Sequence, residues 1–229
     1  RLMKNKNIYN HYLLGNWKCI FEDENLFIEK MKKEINSIEV KHDKIELSDE
    51  EFKDKVFGII FGVAIGDAVG LATEFQSYQQ AAICYGRGIP SLISNNWSLN
   101  IFRDKHRIHW ENGDWTDDTD QMILILKCFI DNPKLDDYLL IDFANLLLNW
   151  AHRGFADLGD AGGAGIGQTL TKTLLHPLFI LDPHKAADDI YNNSSGRAAA
   201  NGGVMRTAIT GIPFYYDLEK TIELTIKLC

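Results

Sequence analysis

Trp115-Thr116-Asp117-Asp118-Thr119-Asp120-Gln121-Met122 runs directly into the apolar Ile123-Leu124-Ile125-Leu126, so hard oxygen donors crowd the entrance to a buried segment. The pattern predicts a helix that begins at about Thr116. Such a helix places Thr116, Asp117 and Asp118 in its first turn, where free backbone N–H groups and the positive end of the helix dipole are expected to keep carboxylates ionised. Successive helical residues point about 100° apart, so three neighbours converge on one point only where the backbone is still entering the helix. Hydroxyl and carboxylate oxygens suit Mg²⁺ or Mn²⁺ better than zinc, which prefers Cys and His. The same residues also read as an ordinary N-cap with an acidic first turn. An EF-hand loop starting at Asp114 does not fit, because Thr119 falls where Gly is required and Ile125 where the bidentate Glu is required.

Upstream, Ser48-Asp49-Glu50-Glu51 spells a capping box, and a long helix is predicted from there through residues 57–70 towards Glu74. Glycines 58, 62, 66 and 70 recur every four residues and leave one face bare for another backbone to approach. A membrane span is the rival reading; residues 56–72 are short for one and carry Asp67 inside. Asp67 and Glu74 stand two helical turns apart with Gly70 between them, which suggests a ligand surface. Solvated helix-end charge is the plainer account, and it suits Glu74 better than Asp67.

Downstream, His106-x-x-His109 with Glu111 has the look of metal ligands but no third ligand at a suitable spacing, and exposed loop histidines explain it better. Residues 120–130 read as a buried helix, and residues 135–150 as another with apolar positions at 139, 140, 143, 146, 147 and 150. The glycine-rich stretch 159–169 mimics a P-loop over Gly162 to Thr169, except that Gln168 stands where a Lys is needed to meet phosphate charge. An NTPase is therefore not indicated. Two readings remain: bare amides leading into a helix N-terminus that accept a diphosphate, or a simple interhelix turn. The segment 194–206 places small residues beside Asn201, Gly202 and Gly203, and offers Arg206 to a carboxylate or phosphate, or else forms a turn between helices. Residues 221–229 fit a strand and a helix equally.

With 229 residues and 45% hydrophobic content, the chain holds enough apolar material for one substantial core. Residues 1–47, rich in Lys, Asn and Glu, read as a charged N-terminal extension with an amphipathic helix over 26–38, and residues 48–229 as the main domain. A net charge of −8 argues against a broad nucleic-acid or anionic-membrane surface and points to small molecules or proteins as partners. Cys19, Cys84, Cys128 and Cys229 form no Cys-x-x-Cys pair, which suits free thiols in the cytoplasm, with the nucleus as the alternative. Arg1 is not an initiator Met, no secretory signal pattern opens the sequence, and the chain reads as cut from something longer.

Three motifs occur in order: Gly66-Asp67-Ala68-Val69-Gly70-Leu71-Ala72-Thr73-Glu74, Trp115-Thr116-Asp117-Asp118-Thr119, and Asn201-Gly202-Gly203-Val204-Met205-Arg206. Together they resemble the ADP-ribosylglycohydrolases over roughly residues 52–229. The resemblance implies an all-α, compact orthogonal multi-helix domain that holds two Mg²⁺ or Mn²⁺ ions at the base of an ADP-ribose cleft. It implies that Thr116, Asp117 and Asp118 supply metal oxygens and that Glu74 is the catalytic acidic residue. Asp67, Gly162, Gly163, Ala199, Ala200, Asn201 and Gly202 would border the substrate. The expected activity is removal of ADP-ribose from modified protein side chains or small acceptors. The family's late Gly-Asp-x-Asp-Thr motif, which completes the metal pair, and a histidine after the Met-Arg helix are absent from these 229 residues. The expectation is either a piece of a longer active chain or a non-catalytic ADP-ribose-binding relative.

Overall fold

A capping box opens the long helix α1 (Asp49–Gly70), as the sequence predicts: Ser48 Oγ accepts from the Glu51 amide, and Glu51 Oε2 accepts from the Ser48 amide at 3.0 Å. The computed structural model of the protein describes residues 46–86, 101–198 and 200–229. The extension up to residue 45, with the helix read over 26–38, and Ala199 lie outside the described residues. The chain divides into Arg1–Lys44 and Ile45–Cys229, and all described residues belong to the second unit.

The helix α1 stops at Gly70 rather than running to Glu74. Residues 71–75 continue as turns, in which the Glu74 amide still reaches the Gly70 carbonyl at 3.1 Å and Phe75 adopts φ +57°. Asp67 therefore sits on the helix and Glu74 on the turn beyond it. Within α1, Ile59, Ile60 and Val63 pack on the main core, while Phe57, Phe61 and Ile65 stay exposed. The bare glycine face meets nothing: among the described residues no atom lies within 4 Å of where a Cβ on Gly58, Gly62, Gly66 or Gly70 would be. Among the described residues, no helix is long and apolar enough to cross a membrane.

A second capping box, Ser77 with Gln80, starts α2 (Tyr78–Tyr85). Its last residue steadies the preceding turn, since Tyr85 Oη donates to the Ala72 carbonyl at 2.9 Å and accepts from the Phe102 amide at 2.9 Å. Leu71, Ala72, Ile101 and Trp110 form a small core beneath that turn.

The centre of the fold is α3 (Asp117–Asp131), which starts where the sequence places it. It packs against α1, against α4 (Leu139–Arg153), against the short α7 (Gly202–Arg206) and against the 3₁₀ turn Thr207–Gly211. Met122, Leu124, Ile125 and Cys128 of α3 meet Leu139, Phe143, Leu147 and Trp150 of α4 in the main core. Each buried side chain of this size contributes about 1.5–3 kcal/mol by leaving water. The start of α4 is later than the apolar pattern suggests, because Leu135 takes φ +50° in a turn and Tyr138 occupies the N-cap.

The remaining helices are α5 (Gln168–Leu174), α6 (Pro183–Asn193) and α8 (Leu218–Leu228). Asp182 caps α6, with Pro183 at its first position, and Asp217 caps α8. The ambiguous C-terminal stretch is thus helical. Leu224 and Leu228, one turn apart, are buried, whereas Ile222 and Ile226 face solvent. The described residues are all-α, with no strand among them.

Candidate active site

The N-terminus of α3 has no local side-chain cap; α1 supplies one from 49 residues away. Asp67 Oδ2 accepts from the Thr116 amide at 2.8 Å and from the Thr119 amide at 3.1 Å and hydroxyl at 2.7 Å. Asp67 Oδ1 accepts from the Thr116 hydroxyl at 2.8 Å. These bonds answer the orphan donors of the first helical turn and lock the first and second motifs together. Both Asp67 oxygens are engaged by α3. The Thr116 hydroxyl, its proton given to Asp67, keeps its lone pairs for another partner.

Asp117 and Asp118 follow, half-buried. The sequence reading expected the helix terminus to favour their ionised form, and here opposing effects are the larger. Burial, then the neighbouring charge of Asp118, and more weakly Glu74 and Asp67, push Asp117 up to about 7. Burial, then Asp67 and Glu74, push Asp118 up to about 6, against a hydrogen bond from the Asn201 side chain. Desolvation and crowding of like charge outweigh the helix dipole, which contributes only about 0.3–1 kcal/mol at an ordinary helix end. The charge of Glu74, on the turn after α1, adds to the rise at both aspartates.

Asp120 is buried below them. It accepts from Trp115 Nε1 at 2.9 Å and from Trp150 Nε1 at 3.0 Å, and burial pushes it up to about 6. This clamp fastens α3 to α4, and the loop 159–167 rests on the same tryptophan. A Cβ on Gly163 would lie 3.0 Å from the Trp150 ring, so only glycine fits there without displacement. At Gly165, φ is +83° and a Cβ would overlap Asp117 Oδ1, so the loop backbone itself walls the aspartate. The expected Gly162 and Gly163 pack against the Ala151 and His152 carbonyls and the Trp150 ring, while Gly165, which sequence reasoning did not single out, meets Asp117 itself. The helix that follows, α5, spans seven residues.

Across from this loop, Asn201 opens α7 with its side chain on Asp118, while Ala200 is exposed and Gly202 half-buried. Arg206 does not face the site as a free cation, contrary to the sequence reading. Its Nη1 donates to Gln121 Oε1 at 3.1 Å, its Nε to the Leu228 carbonyl at 3.0 Å, and its guanidinium lies 5.3 Å from the Phe143 ring centre. Gln121 in turn donates to Asp117 Oδ2 at 3.0 Å, so Arg206 supports the aspartate through an amide.

Glu74 is anchored separately. His106 Nε2 lies 2.8 Å from Glu74 Oε2, so His106 is not the free loop histidine the sequence suggested. Arg107, 1% exposed, grips the turn from beneath by donating to the carbonyls of Leu71, Ala72 and Glu74. Its local partner is Asp104, three residues back, but nothing local marks its hold on the turn, because those carbonyls are more than 30 residues away in sequence.

The donor chemistry suits a hard divalent cation: a hydroxyl with free lone pairs and two carboxylates raised first by burial and then by neighbouring negative charge. The set is partial. Among the described residues, no group of three or more His, Cys, Asp or Glu stands close enough to hold an ion by itself.

The chain is 25% identical over 179 residues to a protein of Archaeoglobus fulgidus called uncharacterized, covering 77% of this chain and 49% of that protein. It is 25% identical over 175 residues to the ADP-ribosylarginine hydrolase of Serratia proteamaculans, covering 76% of this chain and 41% of that enzyme. It is 27% identical over 108 residues to the ADP-ribosylarginine hydrolase of Pseudomonas putida, covering 47% of this chain and 24% of that one. The chain thus spans about half the length, or less, of the curated relatives it matches. No solved structure matches at a significant level. The profile described as ADP-ribosylglycohydrolase matches residues 48–229, nearly the whole described part, and on that match the chain belongs to the ADP-ribosylglycohydrolase family.

Proposed function

We propose that the protein to which this chain belongs hydrolyses the glycosidic bond between ADP-ribose and an arginine side chain of a modified protein. The observation that carries this reading is the Asp67 cap, which ties the first motif to Thr116 and the acidic first turn of α3 in a chain of the ADP-ribosylglycohydrolase family. The arginine linkage is supported by the names of two relatives, and serine-linked or small-molecule ADP-ribose are the alternatives to it.

Thr116, Asp117 and Asp118 would hold Mg²⁺ or Mn²⁺, the family's expectation being two ions. Such ions orient ribose hydroxyls and activate water at neutral pH. The chain's own residues do the rest. Cleavage at the anomeric carbon passes through an oxocarbenium-like state, and a carboxylate beside that carbon stabilises the developing positive charge. Glu74 is suited to this and to taking a proton from the attacking water. Asn201 and the backbone around Gly165 flank the aspartates and border the space a ribose would enter.

Incubation of the intact protein and Mg²⁺ with arginine-linked and serine-linked ADP-ribosyl substrates tests the reading; release of ADP-ribose from the arginine substrate is expected. Glu74→Gln should lower turnover by at least about a hundredfold while leaving ADP-ribose affinity within a small factor, since it removes a proton acceptor and keeps the shape. No release from any acceptor, with ADP-ribose still bound, would favour a non-catalytic reader. The partial ligand set among the described residues is the observation on that side.

A further inference from the structure

Glu74 sits on a turn with its side chain 39% exposed, and an exposed carboxylate on such a turn samples several rotamers unless something holds it. We propose that His106 is the positioning residue that fixes Glu74 for the reaction, an inference that rests on the hydrolase reading above. Its Nε2 lies 2.8 Å from Glu74 Oε2. With the ring proton on Nε2, His106 donates to Oε2 and leaves Oε1 as the oxygen presented to water or to the leaving group.

The imidazole is itself held on two sides. The Phe75 ring stands edge-on to it at 5.0 Å, and the Trp110 ring does the same at 5.0 Å on another side. Trp110 belongs to the small core under the turn, so its ring is a fixed support rather than a surface side chain. The His106 backbone is tied down too: its amide donates to Asp104 Oδ1 at 3.0 Å, and Asp104 also pairs with Arg107. Arg107 completes the frame by holding the carbonyls of the Glu74 turn. The backbone that carries Glu74 and the backbone that carries His106 are therefore fixed by one buried guanidinium. Their side-chain contact is set by the fold and does not depend on a chance encounter of two loops. Preorganisation of this kind acts on the chemical step, because a carboxylate already aimed at the reacting atom loses no freedom when the transition state forms.

The test compares His106→Ala, His106→Gln, Glu74→Gln and the double variant His106→Ala with Glu74→Gln in the intact protein. A hydrogen bond to a charged group is lost in His106→Ala, so kcat should fall about tenfold to a hundredfold while KM stays within about twofold. His106→Gln, whose amide presents a donor in the place of Nε2–H, should recover most of that loss. The residual rate of Glu74→Gln should not fall further when His106→Ala is added, because the histidine acts only through the carboxylate. Equal losses in His106→Ala and His106→Gln, or a full additional loss in the double variant, would overturn the positioning role and mark His106 as merely structural. Turnover destroyed by Glu74→Gln but untouched by His106→Ala would overturn this inference and leave the hydrolase reading standing. An intact protein that releases no ADP-ribose would overturn both.

Discussion

Gly165 puts the sharpest demand on a single residue at the site. Its φ of +83° strains any L side chain, and a Cβ there would collide with Asp117 Oδ1. Gly165→Ala should cost about 1–3 kcal/mol of stability from backbone strain alone, read as a lower urea or thermal midpoint. It should also lower activity, because Asp117 must move to admit the methyl group; a variant with wild-type midpoint and turnover would contradict this geometry. Cys128 makes the opposite case, a chemically reactive residue type made inert. It is 1% exposed, and burial pushes its thiol up to about 12, so thiolate is scarce at neutral pH. Iodoacetamide at pH 8 should leave Cys128 unmodified in the native protein and label it after denaturation, as peptide mass spectrometry would report. At this scale the sequence was legible where residue type alone speaks: Thr116, Asp117 and Asp118 open α3 as the run of oxygen donors predicts. It was silent on Arg107, on the pairing of His106 with Glu74 and on the two indoles that meet at Asp120. The deciding contacts join residues 30 or more apart, Trp150 with Asp120 and His106 with Glu74 among them, although Trp115 lies only five residues from Asp120.

The decisive element is the first turn of α3. A folded protein that raises carboxylate pKa values binds more protons than its unfolded chain, so stability falls as pH rises through the interval between the two states. Asp117 is raised to about 7, and Asp118 and Asp120 to about 6, from an ordinary carboxylate value of 3.8. Their contribution to stability is therefore fully present below about pH 4 and lost as pH climbs through 6 to 7. The metal-free chain should show its thermal midpoint decline between pH 5 and pH 8 on account of this cluster. Asp117→Asn should flatten that decline, since an amide does not titrate, and an unchanged slope would sink the assignment. Element boundaries were readable where caps are local. Ser48 with Glu51 announces α1, whereas the start of α3 was readable from its acidic first turn and the apolar run behind it, its cap coming from distant Asp67. They were misread where tertiary contacts decide. α1 ends at Gly70 because buried Arg107 captures the carbonyls of the turn that follows, and α4 waits for Leu139 because residues 132–138 are spent in turns.

For the molecule as a whole, the three ordered motifs made the family legible and, through that resemblance, the all-α class; helical periodicity agreed except over residues 221–229, which read equally as a strand. The apolar periodicity of α1 was less informative. It is hydrophobic around its circumference, and only packing separates the covered Ile59, Ile60 and Val63 from the exposed Phe57, Phe61 and Ile65. Cation binding is the property of the whole chain that this distribution of ligands governs. Mg²⁺ sheds its water reluctantly and needs near-octahedral oxygen ligation, so its affinity depends on how many carboxylates a site assembles. The described residues offer Thr116, Asp117 and Asp118, while Asp67 is occupied by its bonds to Thr116 and Thr119 and Asp120 by two indole N–H groups. Residues 1–229 taken alone should therefore bind Mg²⁺ and Mn²⁺ weakly, with dissociation constants on the order of millimolar, and calorimetric titration at pH 8 would report this. Asp118→Asn should abolish what binding there is, because the half-site cannot spare a charge. Tight uptake of two ions by these 229 residues would refute the argument and mean that Asp67 or Asp120 gives up its present partners to become a ligand.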